Sequence, residues 1–208
     1  MFTLTDTLKN EFQYKEHTLS LNISFDNILR VFELFDDPLF ESYEKVLIFL
    51  EMLVVEYELI KEVGFKEKFD LYNYILREFL NMGSNEDEEE EEQERTETVM
   101  DFKRDAGLIY VSFLSEYGID LFKEQGKLHW YQFSELLSNL GEKTAFKKAV
   151  GYRAMKVPST KEATKEYREH IQKMKKLYSL SDEKEIDQVA IMESKLDSIA
   201  STFSRGGE

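Results

Sequence analysis

Residues 24–38 read SFDNILRVFELFDDP, and this stretch decides the fold class of the chain. Its apolar residues follow the spacing i, i+3, i+4, i+7, which places them on one face of an α-helix. They are Ile28, Val31, Phe32 and Phe35. Ser24 is a suitable N-cap, and Asp36-Asp37-Pro38 ends the pattern. The stretch therefore predicts an amphipathic helix whose apolar face requires a packing partner.

The residues before this helix alternate between apolar and polar side chains. Phe12 and Tyr14 begin the alternation, and Leu19, Leu21 and Ile23 continue it. A period of two is typical of a β-strand with one buried face. We expect a hairpin over about residues 11–22.

Two further helices are predicted after Pro38, over about 40–60 and 66–81. The first stripe comprises Tyr43, Val46, Leu47, Leu50 and Leu53, and the second Phe69, Tyr72, Leu76 and Phe79. Gly83 would end the second helix, since glycine is common just beyond a helix C-terminus. With the hairpin, these helices form a predicted first unit over residues 1–82.

Three more helices are predicted over about 101–117, 129–140 and 143–156. Their stripes contain Ile109 or Tyr110 with Phe113, Leu114 and Tyr117; Trp130, Phe133, Leu136, Leu137 and Leu140; and Phe146, Ala149, Val150 and Ala154. Gly118 stands where a left-handed C′ residue is needed, and a turn is expected near Gly126. These helices define a second predicted unit over residues 99–157.

The last third of the chain has narrow apolar seams of the coiled-coil type. One seam comprises Tyr167, Ile171, Met174 and Tyr178, and the other Val189, Met192, Leu196, Ile199 and Phe203. The short polar connection at 179–182 predicts an amphipathic helical hairpin over 158–208. The two helices could cover each other or a third helix. The predicted fold is thus mainly α, with a small N-terminal β-hairpin, helical bundle units and a C-terminal helical hairpin.

The charge of the chain is unevenly distributed. The 208 residues carry 27 Lys and Arg against 42 Asp and Glu, for a formal net charge of −15. Residues 86–98 hold nine acidic side chains and one basic, whereas residues 143–178 hold 11 Lys and Arg and three Glu. We interpret residues 83–98 as an acidic linker, which could be a solvated spacer or a lure for a basic partner. The net charge argues against nucleic-acid binding.

Several classes of chemistry lack their residues. There is no cysteine, no Gly-x-Ser-x-Gly motif and no glycine-rich phosphate loop. The longest apolar run, residues 46–55, is too short for a membrane span, which needs about 20 residues. We therefore expect no catalytic residue, metal or cofactor, and an intracellular, soluble protein without nucleic-acid or membrane partners.

His129-Trp130 is the most prominent aromatic cluster of the sequence. Trp130 is in phase with Phe133 and Leu137, which indicates a core position, although tryptophan also suits interfaces. His129 could cap the helix or bond a backbone group, and no partner base or nucleophile is designated for it. Asp120 fits a turn or a cap.

Two stretches resemble a known family. Residues 105–121, DAGLIYVSFLSEYGIDL, and 128–137, LHWYQFSELL, resemble small tail proteins of Gram-positive siphophages and prophages, which are encoded near the tape-measure gene and regarded as tail assembly chaperones. The shared features are the Tyr-Gly-Ile-Asp-Leu segment and the His-Trp pair that opens a helix. Residues 147–153, KKAVGYR, are similar to the basic closing helix of this family. Tyr131 departs from the pattern, where a second tryptophan would be expected.

The resemblance implies a chaperone that keeps the tape-measure protein soluble in the host cell cytoplasm and then gives way to tail tube subunits. It also implies self-association and contacts with tail tube protein and a second tail chaperone. The motif residues implied are mostly structural: Tyr117, Gly118, Ile119, Asp120, Leu121, His129, Trp130 and Phe133. We expect the client to contact the two seams within 160–203. The alternatives are a structural tail component and an enzyme or ligand binder centred on His129.

Overall fold

A computed structural model of the chain describes residues 7–80, 99–160 and 163–180. In this part of the chain the protein is mainly α-helical and carries one two-stranded antiparallel sheet near its N-terminus, which confirms the predicted fold class. The elements, in chain order, are β1 (Glu11–Tyr14), β2 (His17–Ser20), α1 (Phe25–Asp36), α2 (Ser42–Leu53), α3 (Phe65–Glu78), α4 (Ala106–Tyr117), α5 (Trp130–Ser138), α6 (Ala145–Ala154) and α7 (Lys165–Tyr178). A 3-10 turn at Tyr57–Leu59 follows α2.

The chain divides into two compact units that differ from the predicted ones. The first comprises residues 1–94 and 109–141, and the second comprises 95–108 and 142–208. The predicted boundaries, 1–82, 83–98, 99–157 and 158–208, separated α5 from the N-terminal helices and α7 from α6. The structure instead packs α5 against α1 and α7 against α6. The predicted acidic linker and the second seam, from Val189 to Phe203, lie outside the described residues.

The predicted hairpin is present. Phe12 pairs with Leu19 across the two strands, and the turn residue Lys15 adopts a positive φ of 53°. Leu19 is fully buried, while the Phe12 ring lies 5.3 Å from Tyr74 and 5.6 Å from Phe79. The hairpin therefore packs its apolar face on the α3 region.

Helix α1 follows the sequence prediction in its extent and in its buried residues Ile28 and Val31. Ser24 occupies the N-cap position, but its side chain makes no capping hydrogen bond to the helix. Its Oγ lies 2.8 Å from Asn22 Oδ1 and donates to it instead. The predicted N-cap position of Ser24 is therefore confirmed, although its hydroxyl proton goes to the neighbouring amide oxygen and not to the helix.

Helix α2 is shorter than the predicted span of 40–60. It ends at Leu53 because the next residues turn into extended backbone that pairs with the segment after β2. Asn22 N–H donates to Leu53 O at 2.8 Å, and Val55 N–H donates to Ser20 O at 2.9 Å. The β-branched pair Val54-Val55 suits this extended conformation. Tyr43, which was assigned to the stripe, is 54% exposed.

Helix α3 buries a different face from the one predicted. Leu71 and Ile75 lie in the core together with Lys68, while Phe69 is 44% exposed. Lys68 is tolerated there because its Nζ donates to Lys61 O at 2.6 Å and its methylene stem is apolar. Tyr72, from the predicted stripe, still reaches inward, with its ring 4.8 Å from that of Phe49.

Helix α4 begins at Ala106, five residues later than predicted. Asp101 and Asp105 fix a non-helical turn, because Arg104 N–H donates to Asp101 Oδ1 at 2.8 Å and Asp101 N–H donates to Asp105 Oδ2 at 3.1 Å. Such local side-chain bonds compete with helical ones. Of the alternatives Ile109 and Tyr110, Ile109 is the buried one.

Candidate functional site

The segments that start α1 and α5 are paired through their backbones. Trp130 N–H donates to Ile23 O at 2.8 Å, and Phe25 N–H donates to Leu128 O at 2.9 Å. This antiparallel bridge sets the two N-cap residues, Ser24 and His129, opposite each other. The His-Trp pair singled out from the sequence therefore joins two helix starts that are about one hundred residues apart in the chain.

Trp130 belongs to the core of the first unit. It is 9% exposed, and its ring lies 5.4 Å from Phe32 in an edge-on arrangement and 5.7 Å from Phe133. The Phe133 ring in turn stacks on Phe25 at 4.9 Å and on Phe113 at 5.2 Å. Aromatic pairs at these distances contribute about 0.5–1.5 kcal/mol each beyond their burial. Of the two roles left open for Trp130, the structure supports the core.

His129 caps helix α5. Its Nδ1 accepts a hydrogen bond from Tyr131 N–H at 3.0 Å, and Gln132 Oε1 accepts one from the His129 N–H at 3.4 Å. Burial lowers the pKa of His129, and the backbone of Lys9 opposes this only in part. Since Nδ1 is occupied as an acceptor, Nε2 is the ring atom that carries the proton in the neutral form, and it is buried. His129 is therefore a helix cap, and the burial of its ring disfavours the charged form.

The Tyr-Gly-Ile-Asp-Leu segment forms the C-terminal end of α4. Gly118 has a φ of 69° and its N–H donates to Leu114 O at 3.1 Å, which is the left-handed helix ending that the sequence predicted. Tyr117 OH donates to Leu136 O at 2.9 Å and thereby ties α4 to α5. Asp120 accepts from Phe122 N–H at 3.2 Å and pairs with Lys123 at 3.1 Å. The motif therefore forms the turn after α4, and Ile119 and Leu121 are part of that turn.

An ion pair that the sequence did not reveal lies in the second unit. Arg153 and Asp105 meet through two hydrogen bonds of 2.6 Å, with side chains 9% and 1% exposed. The same guanidinium donates to Val99 O at 3.0 Å and to Tyr178 O. We call these four residues the Arg153 clamp. Nothing in the spacing of Asp105 and Arg153 marked them as partners.

The clamp is extended by Lys175. Its Nζ donates to Arg153 O at 2.7 Å and to Met155 O at 2.8 Å, which satisfies carbonyls at the C-terminal end of α6. The end of α6 and the end of α7 are thus bound to each other by two cationic side chains. A cation near a helix C-terminus also interacts favourably with the helix dipole.

The predicted seam on α7 is only partly exposed. Ile171 is 1% exposed, Met174 and Tyr178 are half-buried, and Tyr167 is 52% exposed. Tyr178 stacks on Tyr152 of α6 at 5.9 Å. Ile171 is therefore buried within the second unit, in which α7 packs against α6. The second seam, Val189, Met192, Leu196, Ile199 and Phe203, lies outside the described residues.

Apolar side chains are exposed on an acidic stretch of the first unit. Residues 33–62 hold nine Asp and Glu against two Lys, a net charge of −7. Five large apolar side chains in this stretch reach solvent: Leu39 (85%), Phe40 (38%), Tyr43 (54%), Val55 (66%) and Leu59 (48%). We call residues 33–62 the acidic surface.

The second unit exposes apolar side chains among basic ones. Its described residues carry 12 Lys and Arg against five Asp and Glu, a net charge of +7. Met155, Val157, Tyr167 and Leu177 are between 36% and 52% exposed. We call residues 143–160 and 163–178 the basic surface.

No group of three or more potential metal-ligating side chains occurs within residues 7–80, 99–160 and 163–180. In the same ranges, no helix is both long and apolar enough to cross a membrane.

The described residues define a mainly helical protein of two compact units that exposes apolar side chains among charged ones. The chain belongs to a phage protein family, described as Bacteriophage Gp15 protein, whose sequence model matches residues 4–180. It is therefore a bacteriophage protein. The match spans both units and includes the resembling stretches at 105–121 and 128–137. No curated protein and no solved structure matches the chain significantly.

Proposed function

We propose that this phage protein is a tail assembly chaperone, which binds the tape-measure protein and keeps it soluble until tail tube subunits replace it. The observation that carries the proposal is the pair of motifs at 117–121 and 129–130, in a chain that belongs to a phage family. The host cell cytoplasm is the compartment where this work would take place. The role requires neither catalysis nor a cofactor.

The physical requirement of such a role is an accessible apolar surface on a well-charged protein. A tape-measure protein is long and helical, and its apolar seams would aggregate before the tail tube surrounds them. A chaperone can cover such a seam by the helix-in-groove mode of recognition. The exposed apolar side chains of both units, surrounded by charge, are compatible with this task.

On α7, Tyr167 and Leu177 are the residues best placed to contact a client. They are 52% and 46% exposed, whereas Ile171 is 1% exposed and thus not accessible to a client. We propose that they act together with the seam predicted from the sequence, which comprises Val189, Met192, Leu196, Ile199 and Phe203.

Co-expression with the tape-measure protein encoded nearby tests the proposal. We expect the client to remain in the supernatant and to co-purify with the chaperone, and to precipitate when expressed alone. A client that is equally soluble alone and does not co-purify would refute the chaperone role.

Substitutions at the seams then locate the contact. Leu196→Asp with Ile199→Asp, and separately Tyr167→Asp, should weaken capture of the client while the first unit stays folded, as judged by Trp130 fluorescence. Val111→Asp is the matched control, because Val111 is a 44% exposed apolar residue of α4 that the proposal does not use. Equal loss in the control variant would show that any added charge impairs capture.

The protein content of purified virions distinguishes a chaperone from a structural component. A structural tail component would be retained in purified virions, whereas a chaperone would be absent from them. An enzyme centred on His129 is less well supported, because the Nδ1 of His129 is engaged as a helix cap and Trp130 lies in the core. Binding to tail tube protein, or to a second tail chaperone, would appear in the same pull-down.

A further inference from the structure

Two surfaces of this chain are complementary in charge and alike in their apolar content. The acidic surface at 33–62 has a net charge of −7, and the described residues of the second unit have a net charge of +7. Each surface also exposes several large apolar side chains, such as Leu39 at 85% and Tyr167 at 52%. A second copy of the same chain therefore offers each surface a surface of opposite charge that also exposes apolar side chains.

We propose that copies of the chain associate head to tail, with the basic surface of one copy docked on the acidic surface of the next. Opposite charges steer two such surfaces together, and the apolar side chains then lose contact with water when the surfaces meet. Because the two surfaces differ, the contact is heterologous, and a pair of copies keeps one free acidic surface on one copy and one free basic surface on the other. Such contacts run into open chains unless the rotation between copies closes a ring.

The charges involved are available for an intermolecular contact. Glu33, Asp36, Glu51 and Glu62 are exposed on the acidic surface, and Lys148, Lys156, Lys173 and Lys176 are exposed on the basic one. The structure assigns no capping or core contact to these side chains, so their neutralisation leaves the fold intact. Self-association of this kind does not depend on a client and would persist without one.

Two neutralised variants of the full chain test the proposal. The acid-side variant carries Glu33→Gln, Asp36→Asn, Glu51→Gln and Glu62→Gln, and the base-side variant carries Lys148→Gln, Lys156→Gln, Lys173→Gln and Lys176→Gln. The control variant neutralises Glu11, Glu16, Asp70 and Glu135, which are exposed acids outside the acidic surface. It changes the net charge by the same amount as the acid-side variant.

Sedimentation velocity over a concentration series gives the readout. At about 0.05 M salt we expect the unmodified chain and the control variant to form assemblies beyond a dimer, and at about 0.5 M salt to dissociate, because the Debye length falls several-fold. Each of the two surface variants should associate about tenfold more weakly than the unmodified chain, since exposed ion pairs each contribute a modest amount.

An equimolar mixture of the two surface variants gives the decisive result. The acid-side variant keeps its basic surface and the base-side variant keeps its acidic surface, so one contact can form and the assembly stops at a heterodimer. A mixture that stays monomeric would overturn the head-to-tail arrangement. So would an unmodified chain that is monomeric at low salt, or a control variant that dissociates as readily as the acid-side variant.

The seven consecutive acidic residues at 86–92, here called the acidic run, are the other candidate to bind the basic surface. A variant with glutamine at each position from Glu88 to Glu92 should associate as the unmodified chain does. If it loses association while the acid-side variant retains it, the basic surface binds the acidic run, and the proposed contact with 33–62 is refuted.

Discussion

Replacing Arg153 with methionine should destabilise the second unit by about 3–5 kcal/mol, the cost of leaving one partner of a buried ion pair without the other. Asp105 is 1% exposed and would keep only the hydrogen bond from Asp101 N–H at 3.1 Å. The carbonyls of Val99 and Tyr178 would lose the donor that Arg153 provides. Methionine retains most of the apolar stem of arginine, so the change isolates the guanidinium.

The magnitude follows from the groups left unsatisfied. An unpaired buried carbonyl costs about 1–3 kcal/mol, and a buried carboxylate costs more unless water reaches it. Water entry would bring the total to the lower end of the range. For a chain of this size, each kcal/mol corresponds to about 2–4 °C in Tm, so the loss should be about 6–20 °C. The double variant Asp105→Leu with Arg153→Met should recover part of it, because no buried charge then remains.

Hydrogen exchange of the α6 and α7 amides, together with thermal melts followed by circular dichroism, measures the effect. Glu169→Gln serves as the control, because it removes a surface pair with Lys165 at 3.8 Å whose contribution is about 0–1 kcal/mol. Trp130, the single tryptophan, reports on the first unit by fluorescence. If Arg153→Met melts within about 2 °C of the unmodified chain, with unchanged exchange in α6 and α7, the clamp does not stabilise the second unit.

Three further predictions concern the first unit and the start of α4. Gly118→Ala should cost about 1–2 kcal/mol because φ is 69° there, and the cost is one of backbone strain since an added Cβ meets no atom within 4 Å. Gly107→Ala in α4 should instead stabilise by about 0.5–1 kcal/mol. Urea titrations compare the free energies of unfolding of the two variants. Burial lowers the pKa of His129, so its contribution is complete above the unfolded value of 6.5 and is lost as the pH falls below it; His129→Asn, which keeps a cap acceptor, should flatten stability between pH 7 and pH 5. Burial opposes the charge of Asp26, but Gly126 N–H, Ser24 and Arg30 lower its pKa overall. Asp26→Asn should therefore lower the free energy of unfolding at pH 7 and lower it by a smaller amount at pH 3. Acid denaturation curves of the two chains measure this difference.

Local rules accounted for most of the elements but not for their ends. Period and capping predicted the hairpin, α1 and the left-handed Gly118, because these depend on neighbours in the chain. The end of α2 at Leu53 depends on pairing with the distant segment at 20–22, and the start of α4 depends on side-chain bonds of Asp101 and Asp105. Such long-range or competing contacts leave no periodic signal. The prediction for α3 favoured the aromatic stripe. The helix instead buries the aliphatic residues Leu71 and Ile75.

The candidate sites divide in the same way. His129 and Trp130 were recognised because they form a compact motif, and their bridge to Ser24 explains why the motif opens a helix. The Arg153 clamp was missed, because its partners are separated by 48 residues and only the fold brings them together. Ile171 of the predicted seam is buried, and a seam in a sequence does not say which of its residues another helix will cover.

The range of electrostatic forces decides which charges govern association. At physiological salt the Debye length is about 8 Å, so the net charge of −15 repels another copy only weakly at larger separations. Charges that face each other across a contact lie within that distance and are screened much less. The local values of −7 and +7 therefore outweigh the total when two copies meet. A protein that exposes Leu39 and Tyr167 can in this way attract its own kind at defined surfaces and still avoid indiscriminate aggregation, because any contact between two acidic surfaces is repulsive.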